Sequence, residues 1–146
     1  MSESQDPFLL ILDSYRTAVL ARDADAFAAL YDDDVHVFDM WGTWSLRGIE
    51  AWRDMAAGWF ASLGTDRVLV GVSETSSTMS GDLAIGHAVL TFTAVSAEGR
   101  ELRSLSNRIT MALRRTGESW KVIHEHTSAP IDHQSTKAIL SLAGDA

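Results

Sequence analysis

The sequence contains no cysteine, which excludes disulfides, thiolate metal sites and cysteine nucleophiles while leaving the redox compartment open. It has only two prolines, one near each end, so the interior is free of that helix and strand breaker. Positive charge is scarce: 12 basic against 20 acidic residues, a net charge of −8. A field of that sign repels nucleic acid and anionic lipid, and neither is expected as a partner. No long apolar run exists. The stretch from Phe8 to Leu12, after the polar start MSESQDP, is too short for a signal core or a membrane span, and a cytoplasmic location is expected. What remains is ordinary globular material, 46% hydrophobic in 146 residues, enough for one core and one domain over 1–146, with 129–146 as a C-terminal tail.

Hydrophobic spacing orders the chain. Asp6-Pro7 is a helix start, and Phe8, Ile11, Leu12, Tyr15, Ala18 and Val19 fall on one face of a helix that ends near Arg22. Asp23 caps a short second helix carrying Phe27 and Leu30, which the run Asp32-Asp33-Asp34 should stop by opposing its dipole. Residues 35–40 read as a strand, 41–48 as a Trp- and Gly-rich loop, and 49–63 as a third helix with Trp52, Met55, Trp59 and Phe60 in its stripe. The period then changes. Segments 67–74, 83–95, 102–114 and 120–127 read as antiparallel strands separated by glycine turns, and a short helix is expected over 137–142. Helices placed ahead of an antiparallel meander indicate an α+β fold. Three helices on the concave side of a curved sheet leave a cavity at its open end.

Two blocks carry a family resemblance. The first is Ala29-Leu30-Tyr31-Asp32-Asp33-Asp34-Val35-His36-Val37-Phe38-Asp39, followed by Arg47-Gly48-Ile49. The second is Asn107-Arg108-Ile109-Thr110 with the stretch from Gly117 through Trp120, His124 and His126 to Ser128. In this order they resemble the nuclear transport factor two-like superfamily. That group includes ketosteroid isomerases, SnoaL-like polyketide cyclases and the association domain of calcium/calmodulin-dependent kinase II. The resemblance implies a cone-shaped α+β domain, a homodimer, and either acid–base chemistry on a small molecule or a non-catalytic ligand-sensing or assembly role. The fold alone does not choose between them.

Asp39 matches the position of the isomerase general base, and Tyr15, 24 positions earlier, that of the oxyanion donor. A carboxylate in an apolar cleft gains basicity and a buried phenol can donate to an enolate, although both types also serve as loop caps and core polar groups. The strand over 102–114 lacks the second acid of the isomerases and offers Arg108. By similarity to the kinase association domain, Arg108 would bind an anion, unless it only forms a structural ion pair. His124 and His126 share a strand face with Trp120, Val122 and Ser128, and His87 aligns with Ile85 and Val89. These histidines are read as pocket groups, His126 as a catalytic donor; no metal and no cofactor is expected. Trp41, Trp44, Trp52 and Met40 are candidate wall and lid residues for a flat apolar ligand. If the Arg108/His face lines the cavity, Ile109, Met111 and Leu113 point outward, and that stripe would bury itself in a homodimer through the convex sheet face.

Overall fold

Asp6 opens α1 (Pro7–Ala21) as its spacing predicts: one carboxylate oxygen accepts the N–H of Phe8 at 2.9 Å, and Pro7 occupies the first turn. The computed structural model describes residues 6–142. The acidic start over 1–5 and the tail's end over 143–146 lie outside the described residues. After α1 come α2 (Ala24–Ala28), β1 (Tyr31–Phe38), β2 (Leu46–Arg47), α3 (Ile49–Ser62), β3 (Arg67–Ser80), β4 (Leu83–Val95), β5 (Glu101–Thr116) and β6 (Ser119–Ser128). The six strands form one curved, unclosed sheet in the order β2-β1-β6-β5-β4-β3. Only the β1–β6 pair is parallel, so the sheet is mixed and the fold is α+β. Among the described residues no helix is long and apolar enough to cross a membrane.

The helices lie on one sheet face, α1 against β3, β4 and β5, and α3 against β1. Phe27 centres an aromatic cluster, with ring centroids 5.2 Å from Tyr15, 5.3 Å from Tyr31 and 6.0 Å from both Trp52 and Phe60. Gly86, in mid-strand on β4, explains how α1 sits so close. A Cβ there would stand 2.2 Å from the ring of the fully buried Phe8. The absent side chain is the seat of that ring.

Several sequence expectations change. The second helix ends at Ala28, and the three aspartates belong to β1, whose pairing with β6 slips between Tyr31 and His36. Extra residues on β1 bulge outward there, so the charges reach solvent without stopping a helix. β3 continues six residues past Glu74. Glu74 has φ 51° and marks a bulge, after which Ser76 to Ser80, beyond the end expected from the sequence, keep pairing with β4. The expected tail helix over 137–142 does not form. Asp132 takes the N–H groups of Gln134 and Ser135, Ile131 bridges to Ala138, and the Leu140 carbonyl accepts from Ser106 N–H on β5 at 2.8 Å.

The largest correction concerns the sheet faces. Ile109, Met111 and Leu113 are buried beneath the helices, so Arg108, Thr110 and Ala112 face away from them. The inward stripe cannot be a dimer surface. On β6 the error has a local cause: Ala112 pairs with His124 but Leu113 pairs with Val122, leaving Ile123 as a bulge. A bulge shifts the alternation by one residue. Val122 points inward as its apolar character demands, yet beyond the bulge it is Glu125 and Thr127 that point inward, and His124 and His126 that point out.

Candidate functional site

Between the inner sheet face and the helices lies a cavity of about 850 Å³. Its walls are mostly apolar: Phe27, Trp52, Met55, Trp59, Leu63 and Phe92. Its polar groups come from four elements. Tyr15 projects from α1, Asp39 from the end of β1, Asn107 from β5, and Glu125 and Thr127 from β6. Exposed Trp41, Thr43, Asp54, Arg103 and Ser104 surround the mouth.

Glu125 is 1% exposed, an unusual place for a carboxyl group. Its Oε1 accepts the Tyr31 hydroxyl at 2.5 Å. Burial pushes its pKa up to about 8; the Tyr31 bond opposes the rise, and the charge of Asp39 adds to it. At neutral pH Glu125 is therefore predominantly a carboxylic acid, with a proton to donate. Asp39 is half-buried and also raised by desolvation. The Thr127 hydroxyl and the backbone of Trp41 and Met40 pull it back. Thr127 accepts Met40 N–H at 2.9 Å and donates to Asp39 Oδ1 at 3.1 Å, which fixes the carboxylate on the cavity wall. Tyr15 is held well above the ordinary phenol value by burial and by the nearby Glu125 and Asp39, so it is a neutral donor. Tyr31 is raised in the same way, by burial first and then by Glu125.

Of the ten residues expected at the site, Tyr15, Asp39, Trp41 and Trp52 line the cavity. Met40 sits behind the wall, its sulfur accepting from Asn107 Nδ2 at 3.5 Å. Trp44 is 97% exposed and lines nothing. His87 is exposed on the outer sheet face, paired across strands with Ser76 and Thr110. Arg108 is also outside, its Nε donating to Ser128 Oγ at 3.1 Å. His124 and His126 pack with His36 and Phe38 on that outer face; Phe38 lies 5.0 Å from His124 and 5.5 Å from His126. His124 Nδ1 is 2.7 Å from the His36 carbonyl. With the histidines outside and Asp39 inside, these groups cannot share one ligand or one metal ion.

Glu125, Tyr31 and Asn107 escaped the sequence reading. Their signal was present but misassigned. Glu125 stands between the two histidines that drew attention, and one bulge decides which of them faces inward. Tyr31 belonged to the family motif without a role.

The comparisons agree with this architecture. No curated protein matches the sequence. Among solved structures, an NTF2-like protein of unknown function from Pseudomonas putida has a TM-score of 0.81 at 27% identity, covering 97% of this chain and 98% of that one. A candidate aromatic ring hydroxylase from Novosphingobium aromaticivorans gives 0.73 at 19% identity, with 99% and 96% coverage. A candidate calcium/calmodulin-dependent protein kinase II association domain from Xanthomonas campestris gives 0.72 at 17% identity, with 84% and 85% coverage. The last two share the fold. The SnoaL-like domain matches residues 10–132, most of the chain, and the protein belongs to that family.

Proposed function

We propose that the domain binds an apolar ring compound in the cavity and moves a proton on it, as an isomerase, cyclase or hydratase does. Asp39 is the general base. Its carboxylate is desolvated enough to gain basicity and is oriented by Thr127. Tyr15 and the protonated Glu125 are the donors that stabilise negative charge developing on a ligand oxygen. Glu125 takes the donor part that the sequence reading gave to His126. The observation that carries this reading is the placement of one half-buried and one fully buried carboxyl group, together with a neutral phenol, on the wall of one apolar cavity.

The test is hydrogen–deuterium exchange at the carbon next to the carbonyl of a panel of cyclic enones, followed by mass spectrometry. Wild-type protein should accelerate exchange for at least one member, and Asp39→Asn should slow it by about 100-fold or more, the usual range for a general base. Equal exchange by the two proteins would show that Asp39 is not the base.

For self-association, the outer sheet face offers a different surface from the stripe first expected. Leu69, Leu83 and Ile85 are each about half exposed there, 47%, 52% and 53%. Phe38 at 38% adds an aromatic near the opposite edge. We propose that two copies meet through this face, which withdraws those side chains from water. A ligand-sensing or assembly role without turnover is the competing reading. The open mouth leading to Asp39 favours a ligand over a purely structural use of the domain.

A further inference from the structure

We infer that Arg103 holds the anionic end of an amphipathic ligand at the cavity mouth. The compound is then a ring system with an uncharged oxygen at its inner end and a carboxylate or similar anion at its outer end. The inference rests on the ligand-site reading above and names the class of compound that site selects.

The placement of Arg103 is the first support. Residues paired across adjacent strands share a sheet face. Arg103 pairs with Ala94, and both line the cavity. One step further, Val95 pairs with Glu101, so Leu102 is an extra residue on β5. Strict alternation would set Glu101 on the same face as Arg103. The bulge cancels that: Val95 follows the inward Ala94 and faces the other way, and Glu101 turns out with it. The nearest acid on the same strand is thereby taken off the cavity side. Among the described residues the ion pairs join Arg53 to Asp25 and Arg115 to Asp82, and none involves Arg103. Its exposed guanidinium is left to a ligand.

The order of charges along the cavity is the second support. The inner donors, Tyr15 and the protonated Glu125, are neutral and suit a carbonyl oxygen. Among the described residues that line the cavity, Arg103 is the one cation. It stands well away from the base. Thr127, which orients Asp39, pairs with Ile109, and Arg103 lies six positions along β5 from that rung, about 20 Å of strand. An anion held there is screened from Asp39 at ordinary salt, where a charge is felt over about 10 Å. Asp54, exposed on the α3 side of the mouth, is the acid nearest in level. It repels as a point charge in water, whereas a guanidinium gives a carboxylate two parallel N–H bonds. Between the two ends, Leu105 and its cross-strand partner Phe92 line an apolar stretch for the ring.

The experiment uses pyrenebutyrate, pyrenebutanol and pyrenebutylamine, three fluorescent compounds with one ring system and one chain, titrated into the full chain at neutral pH and about 0.1 M salt. The acid should bind at least about threefold tighter than the alcohol. In Arg103→Glu that order should reverse, with the alcohol within about twofold of its wild-type affinity as the control for folding. Arg108→Glu makes the same change of charge on the outer face and should leave the acid the tighter ligand. Should Arg103→Glu not fold, Arg103→Gln takes its place and should make acid and alcohol equal. An amine that binds tightest, or an acid no tighter than the alcohol, overturns the inference and leaves the cavity reading standing. A preference for the acid that survives Arg103→Glu also overturns it, because the carboxylate then sits on the inner donors. If none of the three binds, the cavity reading itself falls, and the inference with it.

Discussion

The Tyr31 hydroxyl donates to Glu125 Oε1 at 2.5 Å, joining the first residue of β1 to an inward position on β6, with neither side chain open to solvent. The bond holds the carboxyl group in place and leaves its second oxygen to carry the proton. Because burial raises the pKa of Glu125 to about 8 from an ordinary 4.5, the folded protein binds more protons than the unfolded chain between those values. Stability on this account is greatest below about pH 4.5 for this group and declines as pH rises toward 8. The raised pKa of Asp39 contributes with the same sign. Glu125→Gln keeps a neutral group of the same shape. Its melting temperature should fall less between pH 6 and pH 9 than that of the wild type, by thermal unfolding in matched buffers. Parallel curves for the two proteins would mean that Glu125 titrates normally.

Activity should show the same group from the other side. The rate of proton transfer rises as Asp39 ionises and falls as Glu125 loses its proton, a bell with its alkaline limb near pH 8. In Glu125→Gln that alkaline limb should vanish from the exchange profile, even where the maximum rate is lower.

The inside–outside assignment of β5 and β6 can be tested by paired variants. Arg108→Ala and His126→Ala alter the outer face and should change affinity for a cavity ligand by less than about twofold. Tyr15→Phe removes a donor from the wall and should weaken an oxygen-bearing ligand by about fivefold or more. Calorimetry on the three variants reads the difference. The reverse ranking would restore the histidine face as the site.

These variants also mark what could be read without coordinates. β4 runs over the residues its pattern predicted, and α1 differs by one residue, because an uninterrupted apolar period leaves one register open. Tyr15 and Trp52 were legible for the same reason, each lying on a helix whose buried face was plain, whereas Asp39 came from the family resemblance and Trp41 from the aromatic loop after it. The face of β6 was not. Val122 is apolar and inward, and strict alternation from it places His124 and His126 inward too. Only the pairing partner reveals that Ile123 is an inserted residue. On β5 the alternation was read correctly, and the error was to let Arg108 decide which face looked inward. Burial of Ile109, Met111 and Leu113 outweighs any gain from a guanidinium in the cavity, at roughly 1.5–3 kcal/mol for each large apolar side chain.

Gly86→Ala should be among the most damaging single-methyl changes in the protein. The added carbon would overlap the Phe8 ring, so α1 must shift or the strand must bend. The expected loss is about 1–3 kcal/mol, measured by urea unfolding at neutral pH. Wild-type stability would show that α1 does not rest on β4 as described.

The proposed dimer has its own reporter. Ile85→Arg places a charge on the outer sheet face, where Ile85 is half exposed, and leaves the cavity untouched. Sedimentation should show a dimer for the wild type and a shift toward monomer for the variant. An unchanged dimer would place the contact elsewhere.

The most direct measurement is the protonation state of Glu125, followed by carbon NMR of its side-chain carboxyl as a function of pH, with Glu125→Gln identifying the signal. A midpoint near 8 is predicted, with the acid form present at neutral pH. A midpoint at or below the ordinary 4.5 would contradict the account, because the cavity would then hold two carboxylates, and Tyr15 would lack the protonated partner the account requires.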